Sequence, residues 1–405
     1  MKVSIGKILC NLAVVGFFVA CTDPVPNLPP SELPVVLIEA SVSDSQLDRE
    51  GTDCIFSVTD KEMRYIQSVS EGTVHLRGNT TAVCPKKPFD VRLNKSQRVL
   101  NMPPAHRWVL LANYFDRTML RNALAFIISE DSRLDWTPRF QFVDLYYNGV
   151  PRGTYQLCEK VQVRANRVPV PHDGWLVEID AHATKQDTRF YVAHLESPVR
   201  VDRLPEDDPS ALDSLKALFK NADKALFANT FCDSLIGWRK YLDEASFVDW
   251  YVINEIAKNN DACMYSSCFM HSGSDGKIVM GPVWDFDLAF GNITSHECDS
   301  PEGFYIRNAR WYKRLMQDST FEKRVNERFA YFLSREQKYS DFIRKAAERL
   351  APYAQTNENI WQTLGVPIEP GLKAYDTYEE EVAALDEWLH ARCLWLSRQY
   401  THASP

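Results

Sequence analysis

Two carboxylates stand two positions apart in the stretch "VWDFDLAFGN", residues 283–292: Asp285 and Asp287. Trp284, Phe286 and Leu288 around them are apolar. A buried, unpaired carboxylate is costly, so such a pair calls for a cation or for hydrogen-bond donors. Two other groups complement it. The run "NND" closes a helical pattern with Asn259 and Asp261, and "LRGNTTAVCPKKPFDVRL" offers Arg77, a donor-rich turn over residues 78–81, and Lys86 or Lys87. Oxygens for a divalent metal, a cation for phosphates and a polar group to orient a hydroxyl are the requirements of phosphoryl transfer. Taken alone, Asp285 reads better as a capping or salt-bridged residue in a buried turn. The order of the three groups changes that reading: polar loop, hairpin, then acidic loop is the order of a protein kinase's catalytic loop, two strands and metal-binding Asp. A Lys on an early strand facing an Asp on a later loop is likewise a phosphate clamp.

The elements that must position these residues divide at about residue 173. From Leu33 to Val170 the pattern is strand-like. "PVVLIEASV" and "DCIFSVTD" are rich in β-branched residues, and "KKPFDVRLN" alternates Phe89, Val91 and Leu93 with Asp90 and Arg92. Asn148-Gly149 marks a tight hairpin. One helix interrupts, "DRTMLRNALAFIISE", with Asp116 placed to cap it and Leu120, Leu124, Ile127 and Ile128 on its apolar face. These strands predict a twisted antiparallel sheet carrying one helix over residues 33–173. Helical spacing dominates residues 174–405, broken by one hairpin turning at Asp275-Gly276. In the last helix Val382, Leu385, Leu389, Cys393 and Leu396 share a face, which is core packing. Glu379, Glu380 and Glu381 read as its solvated first turn.

Hydrophobic residues make up 45% and aromatics 12% of the 405 residues, which argues against a disordered chain. The net charge of -8 carries no nucleic-acid signature. The N-terminus has Lys2 and Lys7, an apolar run from Ile8 to Phe18, and Ala20 before Cys21, which reads as a secretory signal. "FVAC" resembles a bacterial lipobox, with Phe18 where Leu is usual; an ordinary signal peptide is the alternative. Residues 1–21 are therefore expected to be a lipoprotein signal and residues 22–32 a Pro-rich tether. Eight cysteines remain after Cys21, with no spacing that dictates pairing. Cys263, Cys268 and His271 form an incomplete zinc set and read better as buried residues. "HSGSDG" is a hairpin turn, and no G-x-S-x-G nucleophile elbow follows a strand.

Five segments in one order, "LRGNTT…KKPFDVRL", "WVLLANYFDRTMLRNALA", "YYNGVPRGTYQLCEKV", "INEIAKNNDA" and "GPVWDFDLAFGN", resemble the CotH kinase family, the spore-coat CotH type. The resemblance spans about residues 33–400, and with the tethered N-terminus it looks most like lipoprotein members from Bacteroidetes-type bacteria. It implies an atypical, secreted, bilobed protein kinase-like α+β fold with ATP between a β-rich first lobe and a mostly helical second lobe, hinged at residues 174–180. It implies phosphorylation of Ser on an exported or surface protein, using ATP and Mg²⁺ or Mn²⁺. Lys87 resembles the ATP-phosphate lysine and Arg77 the leading Arg of its motif. Asp261 resembles the catalytic-loop Asp, with Asn259 its companion, and Asp285 the metal-binding Asp. Glu159 looks like a recurrent family Glu that pairs with Lys87 or reaches the metal. Asp287 is a second metal ligand or a structural acceptor, and Asp261 a base, a metal ligand or an orienting group. The absence of G-x-G-x-x-G, H-R-D and A-P-E is expected within this family. Lys86 reads as a solvated strand-end charge, while Arg117 and Arg121 read as residues that hold the lobes together.

The implied location is the cell envelope, with the membrane reached only through the N-terminal lipid. ATP is scarce there, which keeps a second class in view: a non-catalytic surface module using the same cleft for a glycan, peptide or partner. A metal-dependent hydrolase is a weaker third class, because no His-rich metal set is present.

Overall fold

The structure, a computed structural model, describes residues 32–60, 64–67 and 69–401. The expected signal segment, with Cys21, and all of the tether but Glu32 lie outside the described residues. Among the described residues no helix is long and apolar enough to cross a membrane.

Seven strands form the N-terminal part: β1 (Val35–Ala40), β2 (Thr52–Thr59), β3 (Ser70–Leu76), β4 (Phe89–Val99), β5 (Met102–Leu111), β6 (Phe140–Tyr147) and β7 (Val150–Glu159). They close into a barrel in the order β1-β2-β3-β4-β5-β7-β6. Every pair is antiparallel except the seam, where β1 runs parallel to β6 with Val35 opposite Asp144. The expected twisted antiparallel sheet is therefore closed on itself. An open sheet leaves two edges unpaired, and a barrel removes both. Alternation sets the inside: Val36, Ile38, Phe56, Val74, Phe89, Val91, Leu93, Trp108 and Leu157 fill it. The predicted apolar side of "KKPFDVRLN" is therefore the barrel interior. Asn148 and Gly149 both take positive φ, 49° and 70°, as a two-residue β6–β7 turn requires.

The C-terminal part holds a second, five-stranded sheet in the order β12-β11-β8-β10-β9. Its strands are β8 (Leu176–Ile179), β9 (Arg189–Phe190), β10 (Val199–Arg203), β11 (Cys268–Ser272) and β12 (Ile278–Met280). The expected hairpin is β11–β12, and the expected hinge, residues 174–180, contains β8. The helices are α1 (Arg121–Ser129), α2 (Ala211–Phe227), α3 (Glu244–Ala257), α4 (Arg310–Leu315), α5 (Ser319–Leu333), α6 (Glu336–Trp361) and α7 (Tyr378–Thr401).

One helix changes sides. Leu124 and Ile128 from α1, with Leu120 just before it, pack into the large helical core with Trp250, Tyr312 and Leu389, not into the barrel. The apolar face was legible, but which body it covers was decided by the partner surface. Asp116 accepts the N–H of Arg121, the first helical residue, at 2.7 Å and that residue's guanidinium at 2.6 Å. It serves the helix start from a position before the cap, which Leu120 occupies. The face of α7 named above is buried at Leu385, Leu389, Cys393 and Leu396.

Arg117 ties the N-terminal part to the C-terminal region, donating to the carbonyls of Thr363, Val366 and Lys373. Glu381 stands 3.8 Å from it and is 1% exposed. That corrects the solvated reading of Glu381: Glu379 and Glu380 are exposed, but Glu381 is pulled inward by Arg117 and by the Tyr375 N–H. Lys86 is corrected in the same sense. It is 1% exposed, and its amine donates to Thr154 O and Asn357 Oδ1. All eight described cysteines are free thiols.

Candidate active site

A cavity of about 740 Å³ opens between the barrel and the second sheet. One wall is basic. Arg77 follows β3, Arg107 lies on β5 and Lys160 follows β7; all three line the cavity, as does Asp90 of β4. Arg107 grips Asp90 with two nitrogens, at 2.9 and 3.2 Å, and the Lys160 amine bonds the same carboxylate. Burial raises the Asp90 carboxyl, but these two cations outweigh it and hold the group below its ordinary value. Burial lowers the Lys160 amine despite Asp90, with Arg107 and Arg77 adding to the effect. Two cations sharing one carboxylate, with Arg77 beside them, leave this wall positive.

The turn beside Arg77 is shaped by Gly78. Its φ is +83°, and a Cβ there would lie 2.2 Å from Thr81 Oγ1, so glycine is required. Arg49, which also lines the cavity, donates to Gly78 O at 2.6 Å and fixes the turn.

The facing wall is acidic. Asp261, Asp285 and Asp287 all line the cavity. The backbone of "WDFD" is unusual: Asp285 has φ +65°, and the nearby Ser267, whose hydroxyl donates to Asp285 Oδ2 at 3.1 Å, has φ +56°. Non-glycine residues rarely sit there, and such strain persists only where neighbours over-determine it. Three asparagines do so. Asn122 of α1 accepts the Phe286 N–H at 2.8 Å, Asn259 donates to Asp285 O at 3.1 Å, and Asn292 donates to Asp287 O at 2.6 Å. Trp284 stacks on Phe126 and lies under the Arg77 guanidinium, 5.6 Å from the ring centre, while Phe286 is fully buried. The apolar residues of the motif anchor the loop; its carboxylates face the cavity.

These carboxylates repel one another. Burial, then the charge of Asp285, pushes Asp261 up to about 6. Burial, then Asp285 and Asp261, raises Asp287 well above the ordinary range. Glu178, Asp180 and Asp202 add charge beside them and share one counter-ion, Arg200. Glu178 is also raised well above its ordinary value, chiefly by burial. Mutual repulsion and burial together push these carboxyls up.

Among the described residues no three His, Cys, Asp or Glu side chains converge closely enough to hold a metal ion by themselves. That excludes the Cys263–Cys268–His271 set as arranged here. The acidic wall fits a hard divalent ion of the kind held by one or two carboxylates together with phosphate oxygens.

Of the residues named from sequence, Arg77, Asp261, Asp285 and Asp287 meet in this cavity, with Asn259 bracing them from behind. Lys87 and Glu159 do not line it. Lys87 donates to Ala82 O at 2.9 Å. Glu159 is fully buried, 3.4 Å from Arg139 and 3.9 Å from Arg167. The expected Lys87–Glu159 pair is replaced by Lys160–Asp90. The signal for the correction lay in strand alternation: side chains of adjacent residues point to opposite faces, so Glu159 and Lys160 cannot both face the cleft. Asp90, opposite the barrel-filling Phe89 and Val91, was equally legible. Arg107 and the Arg200 cluster had no local signal.

The family model described as CotH kinase protein matches residues 74–396. The chain belongs to the CotH kinase family. The match begins in β3, which leads to Arg77, and ends within α7, so it takes in both walls of the cleft. Among curated proteins the chain has no match. Membership places the kinase-like character of the chain on the region that builds the cavity.

Proposed function

We propose that this CotH-family chain is an ATP- and divalent-metal-dependent protein kinase that phosphorylates Ser on exported or surface proteins from a lipid-anchored position in the cell envelope. In this reading the barrel and the helical part act as the two lobes of a kinase-like fold. The observation that carries it is the opposition of charge across one cleft: Arg77, Arg107 and Lys160 on one side, Asp261, Asp285 and Asp287 on the other. A metal-bound nucleoside triphosphate has the matching polarity, with phosphate charge for the basic wall and a cation for the acidic one.

Each residue has a role in that reading. Lys160, Arg107 and Arg77 bind and align phosphates, with Asp90 fixing the first two. Asp285 and Asp287 would hold Mg²⁺ or Mn²⁺, which supplies charge neutralisation of the phosphates when bound. Asp261 orients the acceptor hydroxyl and takes its proton; an upward-shifted carboxylate suits that task better than an ordinary one. Asn259 fixes Asp261 by accepting its N–H at 3.3 Å. The aliphatic lining of Leu76, Val109, Val161 and Leu176 offers an apolar slot for a base.

The test is calorimetric. ATP with Mg²⁺, then with Mn²⁺, is titrated into the chain from residue 22 onward and into its Asp285→Ala variant. The expected result is binding by wild type and none by a folded variant. Absence of binding with either metal in the wild type would sink the proposal and leave the surface-binding module as the better account.

A further inference from the structure

The segment that follows the acidic loop, residues 293–309, carries only two 3₁₀ turns, Ser295–Glu297 and Ile306–Asn308, yet it is fastened at many points. Lys258, 3% exposed and itself left-handed at φ +46°, donates its amine to Glu297 O at 2.6 Å, Ser300 O at 3.0 Å and Glu302 O at 2.6 Å. Arg392 of α7, fully buried, donates to Pro301 O at 2.8 Å and Gly303 O at 2.6 Å. Trp388 holds Asp299 O at 2.8 Å, and Glu255 accepts the Tyr305 N–H at 2.8 Å. Buried cations and dipoles satisfy the main chain in place of a helix or sheet.

Within this frame two consecutive non-glycine residues are left-handed, His296 at φ +55° and Glu297 at φ +56°. Such angles are disfavoured for non-glycine residues, and Lys258 holds the second through its carbonyl. The result of that strain is a contact. His296 Nδ1 lies 3.1 Å from Asn260 Oδ1, and Asn260 Nδ2 donates to Asp261 Oδ1 at 3.1 Å. Tyr305 donates to Asn260 O at 2.9 Å, and its ring lies against His296, 5.5 Å between centroids. The chemistry assigns the protons. An ionised Asp261 only accepts, so the amide NH₂ of Asn260 faces it; Asn260 therefore presents its oxygen to His296, and Nδ1 carries the hydrogen.

We infer that His296 is a positioning residue which, through Asn260, holds Asp261 in the orientation that addresses the acceptor. This rests on the phosphoryl-transfer reading of the cleft.

The test compares His296→Gly with His296→Asn. Glycine removes the ring and relieves the left-handed strain, so folding is preserved. Asparagine tolerates that backbone and keeps a donor near the position of Nδ1. With Mg·ATP and ADP release as the readout, H296G should lower kcat about tenfold or more while KM for Mg·ATP stays within about twofold. H296N should restore kcat to within about threefold. An unchanged kcat in H296G, a rise in KM equal to the fall in kcat, or an H296N as impaired as H296G would each overturn the inference. A second measurement needs no turnover: ¹⁵N spectra of the ring should show the Nδ1–H tautomer in wild type and lose it in Asn260→Ala. The other tautomer, or an unmoved ring, overturns the inference even where ATP binds. A wild type that binds no Mg·ATP removes the cleft reading itself, and this inference with it.

Discussion

The two walls of the cleft are built in different ways. On the basic wall, Asp90 and Arg107 stand on barrel strands and Arg77 and Lys160 just beyond them, where the pleat dictates which side chains face the cavity. On the acidic wall, Asp261, Asp285 and Asp287 sit on loops, and Asp285 holds a backbone angle that its own residue type disfavours. Asparagines from three separate segments impose that angle. Rigid strands can carry long, adaptable cations, but carboxylates crowded on loops need their backbone held in place. The strain is accepted where charge must be concentrated.

The largest expected effect breaks the acidic wall. Asp285→Ala should lower phosphoryl transfer on the order of a thousandfold, with the fold retained but the melting temperature slightly lowered, because alanine bears the left-handed angle less well than aspartate and the Ser267 bond is lost. A variant that kept activity would end the comparison. Next comes the basic wall. Lys160→Met should weaken Mg·ATP binding by about 1.5–3 kcal/mol, the range for hydrogen bonds to charged groups, whereas Lys87→Met should leave it unchanged; calorimetry on the pair decides which lysine serves the phosphates. The bracing of the loop is tested by Asn122→Ala. Loss of the partner of the Phe286 N–H leaves a buried donor unpaired, so urea unfolding should show about 1–3 kcal/mol of lost stability, together with reduced turnover.

The smallest effect lies away from the cleft. Burial lowers the Lys86 amine to about 7, a pull that Asp144 only partly offsets. Above that pH the unfolded chain binds the proton that the folded one has released, so stability rises with pH until the ordinary lysine value is reached. Between pH 7 and 9 wild type should gain about 1–2 kcal/mol relative to Lys86→Met, measured by urea unfolding at each pH. The gain is held down by the charge-favouring bonds to Thr154 O and Asn357 Oδ1. An equal or opposite trend in the two proteins would show that the amine stays charged in the fold.

Much of this was readable beforehand. Strand alternation located the barrel interior at Phe89, Val91 and Leu93, and helical spacing located the buried face of α7. Asp261, Asp285 and Asp287 of the cleft were named from motif order, whereas Glu178, Asp180 and Asp202 were not. Two charges were misjudged for one reason: Lys86 and Glu381 look solvated by position, yet Asn357 and Arg117, far along the chain, draw them inside. Local sequence carries no record of such partners.

By itself the sequence determined the types and order of the reactive groups, the periodicities that make strands and helices, and the apolar anchors Trp284 and Phe286 that pin the acidic loop. Tertiary structure decided that the sheet closes, that α1 joins the helical core, that Lys160 rather than Lys87 meets Asp90, and that Asp285 is held left-handed. Periodicity is a property of neighbours along the chain, whereas closure, ion pairing and strain depend on groups far apart in sequence that only folding brings together.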